Sequence, residues 1–108
     1  MSTDAISFYW RPGCGFCMAL ERQLSNLGVP FEKLNIWEDP DAASFVRAHA
    51  GGNETVPTIE VGSIVMVNPT PDQVLGAMAD QTPHLVPDDV ERGDDGSRQG
   101  WFRRKDRA

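Results

Sequence analysis

Long apolar segments are absent from this chain of 108 residues. No run approaches the roughly 20 apolar residues that a membrane-spanning helix needs, and no basic segment precedes an apolar stretch after Met1, as it would in a secretion signal. We therefore expect no membrane span and a cytoplasmic location. The length corresponds to one small domain, which argues against a multidomain enzyme.

Positive charge is scarce in most of the chain. Residues 1–84 contain 4 basic and 10 acidic side chains, a net charge of −6, whereas residues 85–108 contain six of each sign. An acidic folded part repels phosphate backbones and lacks the electrostatic attraction on which nucleic-acid binding depends. We expect no nucleic-acid partner.

Cysteine is rare as well, with Cys14 and Cys17 as the two examples. A disulfide across two intervening residues closes so short a loop that it stabilises a fold weakly. Zinc needs about four ligands, and His49 and His84 fit no zinc-finger spacing, so we expect no metal. The cysteine pair is therefore predicted to act in redox chemistry.

The remaining pattern alternates strands and helices. The helices show apolar side chains at helical spacing, and in the second and third a proline and an acid follow the N-caps Asp39 and Thr70. A Gly-Ser pair between two β-branched runs indicates a hairpin. The predicted elements are a strand at 5–10, helices at 14–27, 39–50 and from 70, a strand at 31–37, and a hairpin of 56–61 with 64–67. They form a domain over residues 1–84. Residues 85–108 are polar, with little to bury, and are predicted to be a mostly disordered tail.

Cys14 stands where the first strand ends and the first helix begins. Unpaired backbone N–H groups and the helix dipole favour a thiolate there, so we expect the pKa of Cys14 to lie well below that of a free thiol. Arg11 could add positive charge, and the loop before Cys14 should leave it exposed. Cys17 lies one turn later, on the apolar face shared with Leu20 and Leu24, and should be buried. These positions predict Cys14 as the attacking thiolate and Cys17 as the resolving thiol.

Thr55-Val56-Pro57 precedes the hairpin and has two interpretations. A proline can open a strand simply because its missing N–H costs no sheet hydrogen bond there. Alternatively, the Val56–Pro57 bond is cis and the loop faces the cysteines, which would leave the backbone of Val56 to pair with an extended thiol substrate.

The order of elements, with Cys14-Gly15-Phe16-Cys17, Gly51-Gly52-Asn53-Glu54-Thr55-Val56-Pro57-Thr58 and Asn68-Pro69-Thr70, resembles the glutaredoxin branch of the thioredoxin superfamily. Within that branch it is similar to the actinobacterial mycoredoxins, over residues 4–82. The resemblance implies an α/β thioredoxin-like fold of order βαβαββα, with a four-stranded mixed sheet and helices on both faces. It further implies Cys14 as nucleophile, Cys17 as second cysteine and Pro57 as the cis-proline.

The resemblance also implies a co-substrate. Glutathione-binding glutaredoxins usually carry a Gly-Gly pair and an acidic cap after the fourth strand, where this chain has Val67-Asn68-Pro69-Thr70-Pro71-Asp72. Mycothiol, a sugar-based thiol without the γ-glutamyl group, is therefore the implied co-substrate, and glutathione is less favoured. Thr70 and Asp72 would line the thiol groove, although Thr70 also fits a plain N-cap, and Phe16 lies off the buried face, where it could contact substrate.

The expected activity is reduction of mycothiol–protein mixed disulfides by a monomer without a bound cofactor. A second mycothiol or Cys17 would resolve the intermediate, and both routes stay open. One alternative is a redoxin that is reduced by thioredoxin reductase and in turn reduces ribonucleotide reductase. Such redoxins usually carry a Trp-Ser-Gly-Phe type stretch that this chain lacks. The other is an iron-sulfur scaffold of the Cys-Gly-Phe-Ser type, in which Cys17 would replace the serine.

Overall fold

A four-stranded mixed sheet organises the part of the chain, residues 5–93 and 100–103, that the computed structural model describes. Its strands are β1 (Ile6–Trp10), β2 (Phe31–Asn35), β3 (Thr58–Val61) and β4 (Ile64–Val67), in the order β2-β1-β3-β4. β1 runs parallel to β2, whereas β3 runs antiparallel to both β1 and β4. This arrangement confirms the predicted sheet.

Three helices connect and cover these strands: α1 (Gly15–Leu27), α2 (Pro40–His49) and α3 (Pro71–Gln81). Asp39 caps α2, because its Oδ1 accepts from the backbone N–H groups of Asp41 and Ala42. α1 ends at Gly28, whose φ of 82° is left-handed backbone that glycine adopts without a Cβ clash. The predicted helix starts and the glycine stop are confirmed.

The helices lie on both faces of the sheet. The ring of Tyr9 stacks on Phe45 of α2 with centroids 4.8 Å apart, so α2 covers the face that carries Tyr9. Neighbouring strand residues point to opposite faces, so Phe8 belongs to the other face, where α1 and α3 contact each other. Burying each large apolar side chain contributes about 1.5–3 kcal/mol. The core includes Phe8, Leu24, Ile59, Leu75 and Met78, all fully buried.

Two strand boundaries differ from the prediction by two residues each. β2 ends at Asn35, because Asn35 Oδ1 accepts from the N–H of Trp37 at 2.9 Å and turns the chain there. β3 begins at Thr58, after Pro57, which has no N–H to donate to a neighbouring strand. The two-residue turn between β3 and β4 is as predicted, with Gly62 at a φ of 58°.

The C-terminal part differs from the expected disordered tail. After a 3₁₀ turn at Pro83–Leu85, two strands, β5 (Val90–Gly93) and β6 (Gly100–Arg103), pair antiparallel. Val90 belongs to the hydrophobic core, and Trp101 packs against that core. A few apolar side chains in a polar stretch are therefore enough to hold these two strands against the domain. The division of the chain at residue 84 stays a prediction, and residues 94–99 and 104–108 of that tail lie outside the described part.

None of the helices in the described ranges combines the length and apolar character that a membrane crossing requires.

Candidate active site

Cys14 and Cys17 lie at the edge of the sheet where β1 ends and α1 begins. They form a disulfide, with their Cα atoms 5.2 Å apart. Cys14 is the N-cap residue of α1, and its Sγ accepts from the backbone N–H of Cys17 at 3.1 Å. In the reduced protein, that N–H and the helix dipole would stabilise negative charge on Cys14 and lower the pKa of its thiol.

The two cysteines differ less in exposure than predicted. Cys17 is 1% exposed and lies with Leu20 and Leu24 on the buried face of α1, as expected. Cys14 is 5% exposed, so the expectation of an exposed Cys14 is wrong for the disulfide form. The sulfur of Cys14 is bonded to Cys17 and lies 3.7 Å from the carbonyl oxygen of Val56. Cys17 and Val56 together cover this sulfur.

The Thr55-Val56-Pro57 loop lies against the disulfide, and its Val56–Pro57 bond is cis. Two hydrogen bonds to neighbouring segments hold the loop: Thr55 O accepts from the Thr58 hydroxyl of β3 at 2.8 Å, and Pro57 O accepts from the N–H of Asn68 at 2.7 Å. The loop thus faces the cysteines, the condition that the second interpretation of this segment required. Its contact with a substrate remains a prediction.

A groove of about 320 Å³ runs beside the cysteine motif, between α1 and the loop from β4 to α3. Phe16 forms one side and is 71% exposed, so its ring is open to a bound molecule. Thr70 lines the other side, together with Asn68 and Pro69 of the Asn68-Pro69-Thr70 motif. Gln23 of α1, which the sequence did not single out, lines the groove as well.

Thr70 and Asp72 have structural contacts of their own. The Thr70 hydroxyl accepts from the N–H of Gln73 at 3.2 Å, and Gln73 Oε1 accepts from the N–H of Thr70 at 2.9 Å, which makes a capping box. Asp72 Oδ1 accepts from the N–H of Trp101 at 2.8 Å. That contact with β6 could not be predicted from a tail assigned as disordered.

Arg11 contacts an aromatic ring. Its guanidinium lies 5.8 Å from the centre of the Trp37 ring, and its Nη1 donates to Pro12 O at 3.1 Å. Trp37 is 62% exposed and follows the end of β2, at the same sheet edge as the cysteines. The sequence did not indicate this pairing, because it depends on the ends of the parallel strands β1 and β2 lying at one edge of the sheet.

A second cavity lies away from the cysteines. It measures about 380 Å³ and is lined near the start of β1 by Ser7, Glu32, Glu60 and His84, among others. On the same strand, burial and then the Glu60 carboxylate raise the pKa of Tyr9 to about 12. Within residues 5–93 and 100–103, no three His, Cys, Asp or Glu side chains are grouped to hold a metal ion.

The sequence is similar to glutaredoxins over this region. The family model named Glutaredoxin matches residues 6–65. A protein of Mycobacterium tuberculosis strain H37Rv that is named as a glutaredoxin is 33% identical over 75 residues, which cover 68% of this chain and 89% of that relative. The glutaredoxin-like protein NrdH of Escherichia coli K12 is 32% identical over 69 residues, covering 64% of this chain and 83% of NrdH.

Solved structures of glutaredoxins and of a glutaredoxin-like protein are similar to this fold. The NrdH-redoxin of Escherichia coli, described as having a thioredoxin-like activity profile, superimposes with a TM-score of 0.52 at 32% identity, over 58% of this chain and 80% of that chain. A buckwheat glutaredoxin solved with glutathione has a TM-score of 0.57 at 13% identity, over 77% and 82% of the two chains. At that identity the second match shows a shared fold only.

Proposed function

Because the chain belongs to the glutaredoxin family of thiol-disulfide oxidoreductases, we propose that it reduces mixed disulfides between mycothiol and proteins. The observation that carries the proposal is the position of Cys14 at the N-terminus of α1, where its sulfur accepts the N–H of Cys17. A thiolate held there is the nucleophile that exchange with a disulfide requires.

The first step transfers mycothiol to Cys14. The Cys14 thiolate attacks the mycothiol sulfur of the mixed disulfide, a new S–S bond forms, and the bond from mycothiol to the protein substrate breaks. The protein leaves as a thiolate and takes up a proton from water. The exchange needs no outside oxidant or reductant, because the sulfur of the protein substrate is reduced to a thiolate while the sulfur of Cys14 is oxidised to the mixed disulfide.

The second step removes mycothiol by one of two routes. In the first, the thiolate of a second mycothiol attacks the mycothiol sulfur, releases Cys14 as a thiolate and leaves mycothiol disulfide. In the second, the Cys17 thiolate attacks the sulfur of Cys14 and releases mycothiol. The second route would form a Cys14–Cys17 disulfide, the bond present in the structure, and two electrons from two mycothiols or a flavoprotein reductase would return it to the dithiol.

The groove beside the motif suits a sugar-based thiol. The described residues that line it carry no charge, and among them Gln23, Asn68 and Thr70 offer neutral hydrogen-bonding groups. Such groups pair with sugar hydroxyls, and the exposed ring of Phe16 can pack on the rest of the molecule. The relative in Mycobacterium tuberculosis and the likeness of the motifs to mycoredoxins also support mycothiol over glutathione.

Roles for the remaining predicted residues follow from this placement. The backbone of Thr55, Val56 and Pro57 would pair with the extended part of the bound thiol, opposite Cys14. Arg11, stacked on Trp37, would form part of the rim that meets the protein substrate. We propose that the protein acts as a cytoplasmic monomer without a bound cofactor.

The test follows NADPH consumption with a mycothiol-capped protein, mycothiol and mycothiol disulfide reductase. We expect wild type and Cys17→Ser to be active and Cys14→Ser to be inactive, because the first route needs Cys14 alone. The matched assay uses a glutathione-capped protein and replaces mycothiol and its reductase with glutathione and glutathione reductase. Full activity of Cys14→Ser, or activity in the glutathione system alone, would contradict the proposal.

A second candidate is a redoxin that thioredoxin reductase reduces. The similarity to the NrdH proteins supports it, since the Escherichia coli NrdH-redoxin has a thioredoxin-like activity profile. Such a redoxin needs both cysteines, because only a dithiol forms the disulfide that the reductase accepts. Turnover confined to wild type with thioredoxin reductase, and lost in Cys17→Ser, would favour this candidate.

A further inference from the structure

The C-terminal ribbon, made of β5 and β6, packs beside α3. Val90 anchors β5, since it is 6% exposed and belongs to the hydrophobic core, and Trp101 of β6 packs against that core. The segment leading into the ribbon passes the end of α1, where Pro87 lies 3.7 Å from the place that a Cβ on Gly28 would take. The ribbon itself therefore lies beside α3, one of the two helices that border the groove.

One hydrogen bond joins the ribbon to the first turn of α3. The N–H of Trp101 donates to Asp72 Oδ1 at 2.8 Å. Asp72 comes two residues after Thr70, which lines the groove. Backbone N–H groups along an antiparallel strand alternate between facing the partner and facing away from it. The N–H that reaches Asp72 faces away from β5, so this bond is additional to the pairing of Trp101 with Arg92.

The first turn of a helix is held more weakly than its middle, because its N–H groups have no partners within the helix. The capping box of Thr70 and Gln73 satisfies part of this turn from within α3. The Trp101 N–H holds the same turn from outside, through a carboxylate, and hydrogen bonds to charged groups are stronger than neutral ones. The groove wall at Thr70 is thus fixed by two independent contacts.

On this basis we propose that Trp101 is a positioning residue for the thiol groove, which its backbone N–H holds in shape through Asp72. The inference rests on the proposed function, because it assigns the groove to the thiol. Both strands of the ribbon lie beyond residue 65, where the match to the glutaredoxin family model ends. The ribbon would therefore give this chain a control of thiol affinity outside the region that matches the family model.

Proline at position 101 tests the proposal in the full chain. Trp101→Pro removes the N–H that binds Asp72 without removing a hydrogen bond to β5, and proline is tolerated at such outward strand positions. Trp101→Phe is the matched control, because it keeps both the N–H and an aromatic ring. Asp72→Ala removes the acceptor, and the double variant Asp72→Ala with Trp101→Pro completes a double-mutant cycle.

Two measurements are made on each variant. The first is amide hydrogen exchange at Thr70 and Gln73, which reports on the first turn of α3 without any thiol. The second is KM and kcat for the mycothiol-capped protein, with 2-hydroxyethyl disulfide as a small substrate that does not fill the groove. Circular dichroism confirms that each variant is folded.

We expect Trp101→Pro to speed exchange and to raise KM for the mycothiol-capped protein about fivefold, equivalent to about 1 kcal/mol. The kcat and the turnover of the small disulfide should stay within about twofold of wild type, because the substitution does not touch Cys14. A twofold change corresponds to about 0.4 kcal/mol. Trp101→Phe should behave as wild type. In the Asp72→Ala background, Trp101→Pro should add no further rise in KM, because the acceptor is already gone.

Unchanged exchange in Trp101→Pro would overturn the inference, as would faster exchange with unchanged KM, or additive effects in the cycle. Wild type that reduces neither the mycothiol nor the glutathione adduct would instead refute the proposed function. The exchange data would then still decide whether the Trp101 N–H holds α3. If wild type reduces only the glutathione adduct, the KM comparison is made with that adduct.

Discussion

Thr70→Ala separates the two roles that Thr70 can have, as an N-cap of α3 and as a wall of the thiol groove. The hydroxyl of Thr70 accepts from the N–H of Gln73 at 3.2 Å, and alanine leaves that N–H without this partner. Replacing a threonine N-cap by alanine typically costs about 1 kcal/mol. We expect this loss to lower the free energy of unfolding of the whole domain, because Val74 and Leu75 of the same helix belong to the core.

The expected loss can be read as a shift of the melting temperature. In a domain of this size, 1 kcal/mol corresponds to roughly 4–8 °C. Gln73→Ala is the first control, since it removes only the side-chain oxygen that accepts from the N–H of Thr70 at 2.9 Å, and should cost about 0.5 kcal/mol. Thr70→Ser is the second control, because it keeps the hydroxyl and should stay near wild type.

Urea denaturation followed by tryptophan fluorescence gives the free energy of unfolding, and KM for the mycothiol adduct gives the second readout. If Thr70 both caps α3 and contacts the thiol, the rise in KM relative to the loss of stability should be larger in Thr70→Ala than in Gln73→Ala. Thr70→Ala with an unchanged denaturation midpoint would refute the capping argument. Equal losses in Thr70→Ser and Thr70→Ala would refute the assignment of the effect to the hydroxyl.

Two further predictions concern Tyr9 and Cys14. Burial, followed by the Glu60 carboxylate, raises the pKa of Tyr9 from 10.0 to about 12. Because the folded pKa is the higher one, the stabilising contribution is complete below pH 10 and is lost as the pH rises through about 12. Tyr9 is the single tyrosine, so its ultraviolet absorbance reports its titration directly. Between pH 10 and about 12, Tyr9→Phe should lose less stability than wild type. Equal losses in the two proteins would contradict the linkage. For reduced Cys14, the N–H of Cys17 and the helix dipole should lower the pKa of the thiol, so iodoacetamide should alkylate Cys14 faster than a free cysteine near neutral pH. A rate profile matching free cysteine, measured in Cys17→Ser, would show that the helix start does not activate Cys14.

The sequence predicts the framework because local signals decide it. Asp39 and Thr70 cap their helices with their own side chains, and Gly28 ends α1 because its left-handed backbone suits glycine. The Gly62-Ser63 turn fixes the register of β3 and β4. Each of these features depends on residues within a few positions of one another, so a single sequence is enough to predict them.

The features that the sequence did not predict depend on residues far apart in the chain. Asp72 and Trp101 are 29 residues apart, and nothing near Trp101 indicates that its N–H meets the start of α3. The low exposure of Cys14 depends on the Val56 carbonyl, 42 residues away. Arg11 and Trp37 meet only because β1 and β2 are parallel, which brings the ends of both strands to one edge of the sheet. Long-range contacts of this kind require the fold before they can be assigned.

The same geometry sets the competition between the two routes of resolution. Cys17 is carried on the first turn of α1, with its Cα 5.2 Å from that of Cys14, so its effective concentration at the reacting sulfur exceeds the millimolar range of a tethered group on a flexible linker. Burial opposes this advantage, because a thiol that is 1% exposed ionises less readily than one in water. A second mycothiol has the reverse properties, since its thiol ionises in water without a burial penalty but must diffuse into the groove beside Phe16. Proximity therefore favours the internal disulfide, whereas burial of Cys17 prolongs the mixed disulfide, and a groove that binds mycothiol well shifts the outcome towards the route that needs Cys14 alone.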